Sequence, residues 1–260
     1  MLSASNLVFR AGGRALVDNV SATFHPGLLH LIMGPNGAGK STLVKLLARM
    51  LRPHDGRVAY GGIDAERWSD RQLAKQRAVL SQAIEVAFPI PVHELIMMGR
   101  YPHFRGRPGR SDERICEQVM QYFEVSAFAD RNYSSLSGGE RQRVNFARVL
   151  AQIWEPLPGS ARYLFLDEPL TFLDIRHQID FMKKVREFAS QPDVVAVGVV
   201  HDLNLAAKFA NHMLLLHEGR VLVEGDKAEV LTAEHLRTAF DIRPEFLTNA
   251  ATGETHLTFD

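Results

Sequence analysis

The chain is 260 residues long, 46% hydrophobic and 23% charged, which suits one large globular domain with a sizeable core. Thirty basic residues offset thirty acidic ones, so the basic excess of a protein that lives on phosphate-backbone contacts is lacking, and nucleic acid is not an expected partner. The single cysteine, Cys116, excludes an internal disulfide and reads as a small core residue.

Met1 to Arg10 lacks the basic start and long apolar stretch of a secretion signal. No apolar run approaches the ~18 residues of a membrane span; the longest clean one is Val194–Val200. The expectation is a cytosolic chain that does not cross a bilayer alone. Leu28–Met33 is a strand-length apolar run that leads into Gly34-Pro35-Asn36-Gly37-Ala38-Gly39-Lys40-Ser41-Thr42. Leu43, Leu46, Leu47 and Met50 then recur at helical spacing, and Pro53 and Gly56 close the segment.

Val79–Ser81 reads as a further short strand. Val92–Gly99 and Asp112–Glu124 read as helices, joined by a loop over Arg100–Arg110 that is rich in glycine, proline and arginine. Glu140–Gln152 is helical, with Val144, Ala147, Arg148 and Ala151 along one side. Tyr163–Leu166 and Val194–Val200 are continuous apolar strands of the kind found where helices cover both faces of a parallel sheet. Asp174–Phe188 and Leu203–Phe209 supply covering helices, and the alternation predicts an α/β fold. The helices from 89 to 152 interrupt it as an inserted helical subdomain, leaving 1–88 and 153–260 as the core of a single domain.

Gly34 to Ser41 fits the phosphate-binding loop G-x-x-x-x-G-K-[ST]. Its glycines let successive N–H groups face one anion at the positive end of a helix. Lys40 would reach the β- and γ-phosphates, Ser41 would bind Mg²⁺, and Thr42 would add a contact toward the α-phosphate. Tyr163-Leu164-Phe165-Leu166-Asp167-Glu168-Pro169 is a hydrophobic strand that delivers two carboxylates at its C-terminal end, where open α/β sheets bind ligands. Asp167 would hold Mg²⁺ through water, and Glu168, aimed the other way, would act as general base on the attacking water. In Leu136-Ser137-Gly138-Gly139-Glu140-Arg141-Gln142, Ser137 can cap the following helix while Gly138 and Gly139 leave its first amides open to an anion.

With that last string the chain resembles the ABC ATPases, a P-loop NTPase (RecA-like) family whose LSGGQ-type signature it matches with Glu140 in the fifth place. The resemblance spans essentially the whole chain, and implies an N-terminal antiparallel β subdomain beside the parallel sheet. Gln82 matches the glutamine that touches Mg²⁺ or the attacking water and senses the γ-phosphate. Asp174 matches the aspartate at the dimer seam, and His201 the switch histidine on the γ-phosphate. The family arrangement implies a head-to-tail homodimer in which each ATP lies between one subunit's Gly34–Ser41 loop and the other's Ser137–Gly139 turn.

Two departures stand out. Ala11 falls where family members stack an aromatic on adenine, with Phe9 and Arg10 as neighbours, and arginine can also stack on a π-face. The stretch from Ser137 to Asp167 is long for the family, and its surplus, Trp154–Arg162, reads as a surface loop. The string Met98-Gly99-Arg100-Tyr101-Pro102-His103 and the segment from His201 to Ala207 resemble the ATPases of importers of iron chelates, haem and vitamin B12. The long loop before Tyr163 resembles the haem importers among them. The resemblance thus implies an energy-coupling ATPase subunit at the cytoplasmic face of the inner membrane. It would meet its permease near Gln82 and Val92–Arg105, and a substrate-binding protein only indirectly. Arg100–Arg110 read by itself is equally a solvated basic loop. Ferric siderophore or vitamin B12 is the alternative cargo, and an ABC ATPase acting on nucleic acid or ribosomes is the alternative from another class. The eleven histidines, His201 aside, show no metal-binding spacing such as H-x-x-x-H.

Overall fold

A computed structural model describes residues 1–81, 88–170, 173–248 and 255–259. The chain opens with an antiparallel hairpin, β1 (Leu2–Ala11) and β2 (Arg14–Phe24), turned at Gly12-Gly13 where both residues have positive φ. There follow β3 (Leu28–Met33), α1 (Lys40–Leu47), β4 (Asp55–Tyr60), the short β5 (Ile63–Asp64), α2 (Asp70–Ala74) and β6 (Arg77–Leu80). Helices α3 (Val92–Met97), α4 (Arg110–Tyr122) and α5 (Gly138–Gln152) come next, then β7 (Arg162–Asp167), α6 (Ile175–Ala189), β8 (Val194–Val199) and α7 (Leu203–Phe209). The remainder is β9 (His212–His217), β10 (Arg220–Gly225), α8 (Lys227–Val230), α9 (Ala233–Phe240) and a hairpin of β11 (Pro244–Thr248) with β12 (Thr255–Phe259).

The main sheet runs β10-β9-β3-β8-β7-β6, and the N-terminal sheet β2-β1-β4-β5 is antiparallel. Strands β9, β3, β8, β7 and β6 pair in parallel, with β10 added antiparallel at one edge. Because both faces of the sheet are covered, the two-residue period of a strand leaves β8 apolar throughout and β7 apolar from Tyr163 to Leu166, between Arg162 and Asp167. Leu164, Leu166, Val194 and Ala196 enter a core built against α3, α4, α5 and α6. Tyr163, Phe165, Val195 and Val197 enter a second core with α1 and the N-terminal sheet. Each such fully buried side chain contributes about 1.5–3 kcal/mol, so neither face tolerates a polar replacement. The α/β expectation holds.

Several boundaries differ from the sequence expectation. The strand expected at Val79–Ser81 is Arg77–Leu80, because Arg77 to Leu80 pair in register with Tyr163 to Leu166. The helix expected at Asp112–Glu124 begins at Arg110, with the Asp112 side chain reaching back to accept the Gly109 N–H at 3.0 Å. The stretch Trp154–Arg162 is a surface loop only in its middle. Trp154 stacks on Phe188 at 6.2 Å, and Arg162, 3% exposed, lies over the same ring while gripping Asp193 at 2.6 and 2.8 Å.

Arg100 and His103 also turn inward, onto the helical layer. Arg100 Nε meets Asp112 Oδ1 at 3.1 Å and its Nη1 donates to the Ala151 carbonyl at 2.7 Å, while His103 Nε2 lies 2.7 Å from the Gln152 carbonyl. Within that string Tyr101, 59% exposed, is the side chain that faces outward. Cys116 is buried, and burial pushes its thiol up to about 12, so it is a core residue and inert.

Candidate functional site

The C-terminal ends of β3, β8 and β7 lie side by side at the edge where open α/β sheets bind ligands. From β3 the chain passes through the glycine loop into α1. Gly34 (φ 145°) and Gly39 (φ 98°) hold backbone that other residues rarely adopt, and a Cβ at either would collide with the carbonyl of Leu216 or of Leu16. The loop is therefore clamped between β9 and β2, and the Gly219 N–H donates to the Ala38 carbonyl at 3.2 Å. Pro35, Asn36 and Gly37 lie at its partly exposed crest; Ala38 is buried, and Ser41 and Thr42 open α1 half-buried.

Lys40 is 5% exposed, and its Nζ donates to the Gly34 carbonyl at 2.8 Å and the Pro35 carbonyl at 2.9 Å. Burial lowers its pKa, and the carboxylates of Glu168 and Asp167 oppose that shift. The ammonium thus faces into the loop with its donors on backbone oxygens that an arriving phosphate can replace.

At the end of β7, Asp167 is 9% exposed. Its Oδ2 lies 4.0 Å from Lys45 Nζ, and its Oδ1 is buried without a hydrogen-bond partner among the described residues. A buried, unsatisfied carboxylate oxygen beside a phosphate loop fits a cation held through water, as Mg²⁺ commonly is. Glu168 takes φ 53°, a left-handed conformation that costs a non-glycine residue about 1–2 kcal/mol. Its Oε1 lies 2.9 Å from Nε2 of His201, which follows β8. A cavity of about 220 Å³ is lined by Glu168, Leu170, Gln178, Val199 and His201, so water has room beside the pair. Gln82 lies outside the described residues.

The signature turn sits at the start of α5. Ser137 Oγ accepts the Glu140 N–H at 3.4 Å, and Glu140 Oε2 accepts the Ser137 N–H at 2.7 Å. Donation from the Ser137 N–H, and from its hydroxyl, holds the Glu140 carboxyl below the usual carboxylate range and explains what the fifth-place glutamate does locally. Ser137 and Gly138 are exposed, and Gly139 packs near the His177 ring. Asp174 caps α6, accepting from the His177 N–H at 2.9 Å and pairing with His177 Nδ1 at 2.7 Å, which depresses its pKa. A larger cavity of about 590 Å³ opens on this side between α5 and α6.

Sequence reasoning missed His177 here. It also missed Gln178 and gave Gln142 no task beyond the signature string; their side-chain amides donate to the Leu173 carbonyl at 3.0 Å and the Pro169 carbonyl at 2.5 Å and so brace the turn after Glu168. No signal in one chain separates such glutamines from solvent-facing ones. Phe9, a neighbour of the adenine position at Ala11, meets His54 edge-on at 5.1 Å, while Arg10 and Ala11 are exposed.

A clamped glycine loop, a buried lysine and a carboxylate pair on a parallel sheet define the class of P-loop nucleoside triphosphatases. The ABC transporter family model matches residues 17–171. A hemin import ATP-binding protein, HmuV, of Gloeobacter violaceus is 46% identical over 94% of this chain and 88% of its own length. The protein of that name from Escherichia coli O157:H7 is 44% identical, over 91% and 90% respectively. Among solved structures, a transporter described as of metal-chelate type, in an inward-facing conformation, superposes with a TM-score of 0.83 at 25% identity, covering 99% of this chain and 96% of that one. The chain belongs to the ABC transporter family, as an ATP-hydrolysing subunit. Among the described residues no helix is long and apolar enough to cross a membrane.

Proposed function

We propose that the chain energises import of haem through a separate permease, working as a head-to-tail homodimer at the cytoplasmic face of the membrane. Gly34 to Gly39 and Lys40 would hold the phosphates of ATP, with Thr42 toward the α-phosphate. Ser41, Asp167 and Gln82 would hold Mg²⁺, which when bound supplies positive charge against the phosphate oxygens. Ser137, Gly138 and Gly139 of the opposing subunit would close over the γ-phosphate, with Asp174 at the seam. Glu168 acts as general base on the attacking water. His201 turns its Nε2 from Glu168 to the γ-phosphate when ATP arrives, giving up its 2.9 Å contact with the carboxylate.

The observation that carries this reading is the 2.9 Å pair of Glu168 and His201 beside the clamped phosphate loop. The names of the relatives favour haem as cargo over ferric siderophore or vitamin B12. The permease would engage the exposed part of Val92–Arg105, Tyr101 foremost, and the region of Gln82. A substrate-binding protein would act through the permease alone.

The test is to purify the chain with its permease, reconstitute both in vesicles, and measure ATP-driven uptake of haem, a ferric siderophore and cobalamin. Haem alone should accumulate. Glu168→Gln should still bind ATP, accumulate as a dimer, and slow turnover by about 10²–10⁴-fold, the usual worth of a general base. Uptake of cobalamin in place of haem would overturn the cargo, and an unchanged rate in Glu168→Gln would overturn the role of Glu168.

A further inference from the structure

Helix α7 begins two residues after His201, and its start is fixed from outside by the far end of the chain. Asp202 caps it, accepting the Leu205 N–H at 2.9 Å. Asn204, in the first turn, sends its side chain away from the helix to β12. Its Nδ2 donates to the Leu257 carbonyl at 3.0 Å, and its Oδ1 accepts the Leu257 N–H at 2.8 Å. Leu257 pairs with Phe246 across the β11–β12 hairpin, and both of its backbone groups point to the strand edge that β11 leaves open. A side-chain amide sets an N–H donor beside a carbonyl acceptor on the same fork, so Asn204 occupies that edge as a third strand would.

The attachment is rigid at the other end too. The Leu257 side chain is 4% exposed and joins Leu203, Leu205 and Ala206 in the main core. An isolated helix of seven residues has no stability of its own, so its orientation comes from what it packs against and what grips it. A shift of α7 would carry Asp202 and His201 with it and change the 2.9 Å contact to Glu168.

From this geometry we propose that Asn204 is a positioning residue for His201, with the C-terminal hairpin as its anchor. The proposal rests on the γ-phosphate role given to His201 above. The Asn204 amide is spent on the Leu257 backbone and acts on His201 through the helix start. It fixes the arc through which the imidazole moves between Glu168 and phosphate, and it should therefore govern turnover and leave nucleotide affinity alone.

The experiment measures kcat and KM for ATP with the full chain bound to its permease. It compares Asn204→Ala, His201→Ala and the double variant, and records thermal unfolding of each. Asn204→Ala should lower kcat by about 5–20-fold, roughly the 1–2 kcal/mol of a lost part-buried hydrogen-bond pair, with KM within twofold of the parent. In the His201→Ala background the same substitution should cause no further loss, since the group it positions is gone. Asn204→Asp keeps the acceptor but sets an oxygen against the Leu257 carbonyl, and should fall with Asn204→Ala; it also serves if the alanine variant does not fold. Asn204→Ala at the parental rate, or an equal loss in both backgrounds, would overturn the proposal while leaving His201 its role. A parental rate in His201→Ala itself would remove that role, and the proposal with it.

Discussion

Arg100 lies in the string that resembles a permease-facing motif, yet its side chain is 6% exposed and its partner Asp112 is 5% exposed. Arg100→Ala would leave Asp112 buried without its cation and the Ala151 carbonyl without its 2.7 Å donor. Breaking one side of a buried ion pair typically costs about 3–5 kcal/mol. Asp112 keeps the Gly109 N–H at 3.0 Å, which places the expected loss near the lower bound, ~3 kcal/mol. The assay is urea unfolding of the parent, Arg100→Ala, Asp112→Ala and the double variant. The double variant removes both charges at once, so it should be less destabilised than the two single losses combined, with a coupling of about 1.5 kcal/mol or more. A loss under about 1 kcal/mol in Arg100→Ala, or a strictly additive cycle, would refute the buried-pair account. If the account holds, reduced uptake in Arg100→Ala reports a loosened helical layer, and Tyr101→Ala, whose side chain is exposed, becomes the informative probe of partner contact.

His30 is buried, accepts the His25 N–H at 2.9 Å, and is lowered to about 4, chiefly by burial. The native state holds it neutral, so between pH 6.5 and about 4 the unfolded chain takes up a proton that the native chain refuses, and stability falls as pH falls. The full effect is ~3 kcal/mol, so His30→Gln should flatten the stability profile in that window by about this amount; parallel profiles would refute it. Gly39→Ala should abolish ATP binding, because the new methyl group meets the Leu16 carbonyl, whereas Gly37→Ala, with φ 79° but open space around it, should cost only ~1–2 kcal/mol in stability. Equal ATP affinity in the two variants would contradict the clamped loop. Ser137→Ala removes the cap of α5 and should lower stability by about 1 kcal/mol in urea unfolding; no measurable change would show that Glu140 suffices to cap the helix.

The candidate site's edge was legible as a cluster because its residues are neighbours in the sequence. Lys40 and Ser41 follow their glycines directly, Asp167 and Glu168 follow an apolar strand, and hydrophobic periodicity placed α5, α6 and α7 to within a few residues. What the sequence hid depends on partners distant along the chain. Arg100 and Arg105 look alike as basic residues in a glycine-rich loop, and only the position of Asp112 and Ala151 decides that the first is buried. Trp154 and Arg162 bracket a stretch of prolines and glycine that reads as solvent-exposed, yet Phe188 and Asp193 draw both ends inward. The β11–β12 hairpin was not anticipated, since its strands are short and polar and its hold on the core runs through Leu257 and Asn204.

One contact ties the signature helix to the turn that follows β7 in the same subunit: Gln142 on α5 holds the carbonyl of Pro169, the residue next to Glu168. In the proposed assembly α5 reads the nucleotide seated on the neighbour, while Glu168 acts on the nucleotide seated at home. A hydrogen bond from one to the other means that a subunit cannot tilt its reading helix without disturbing its own cutting edge. The two halves of such a pair would keep time with each other through the protein itself, and loss of phosphate on one side would be felt as slack on the other.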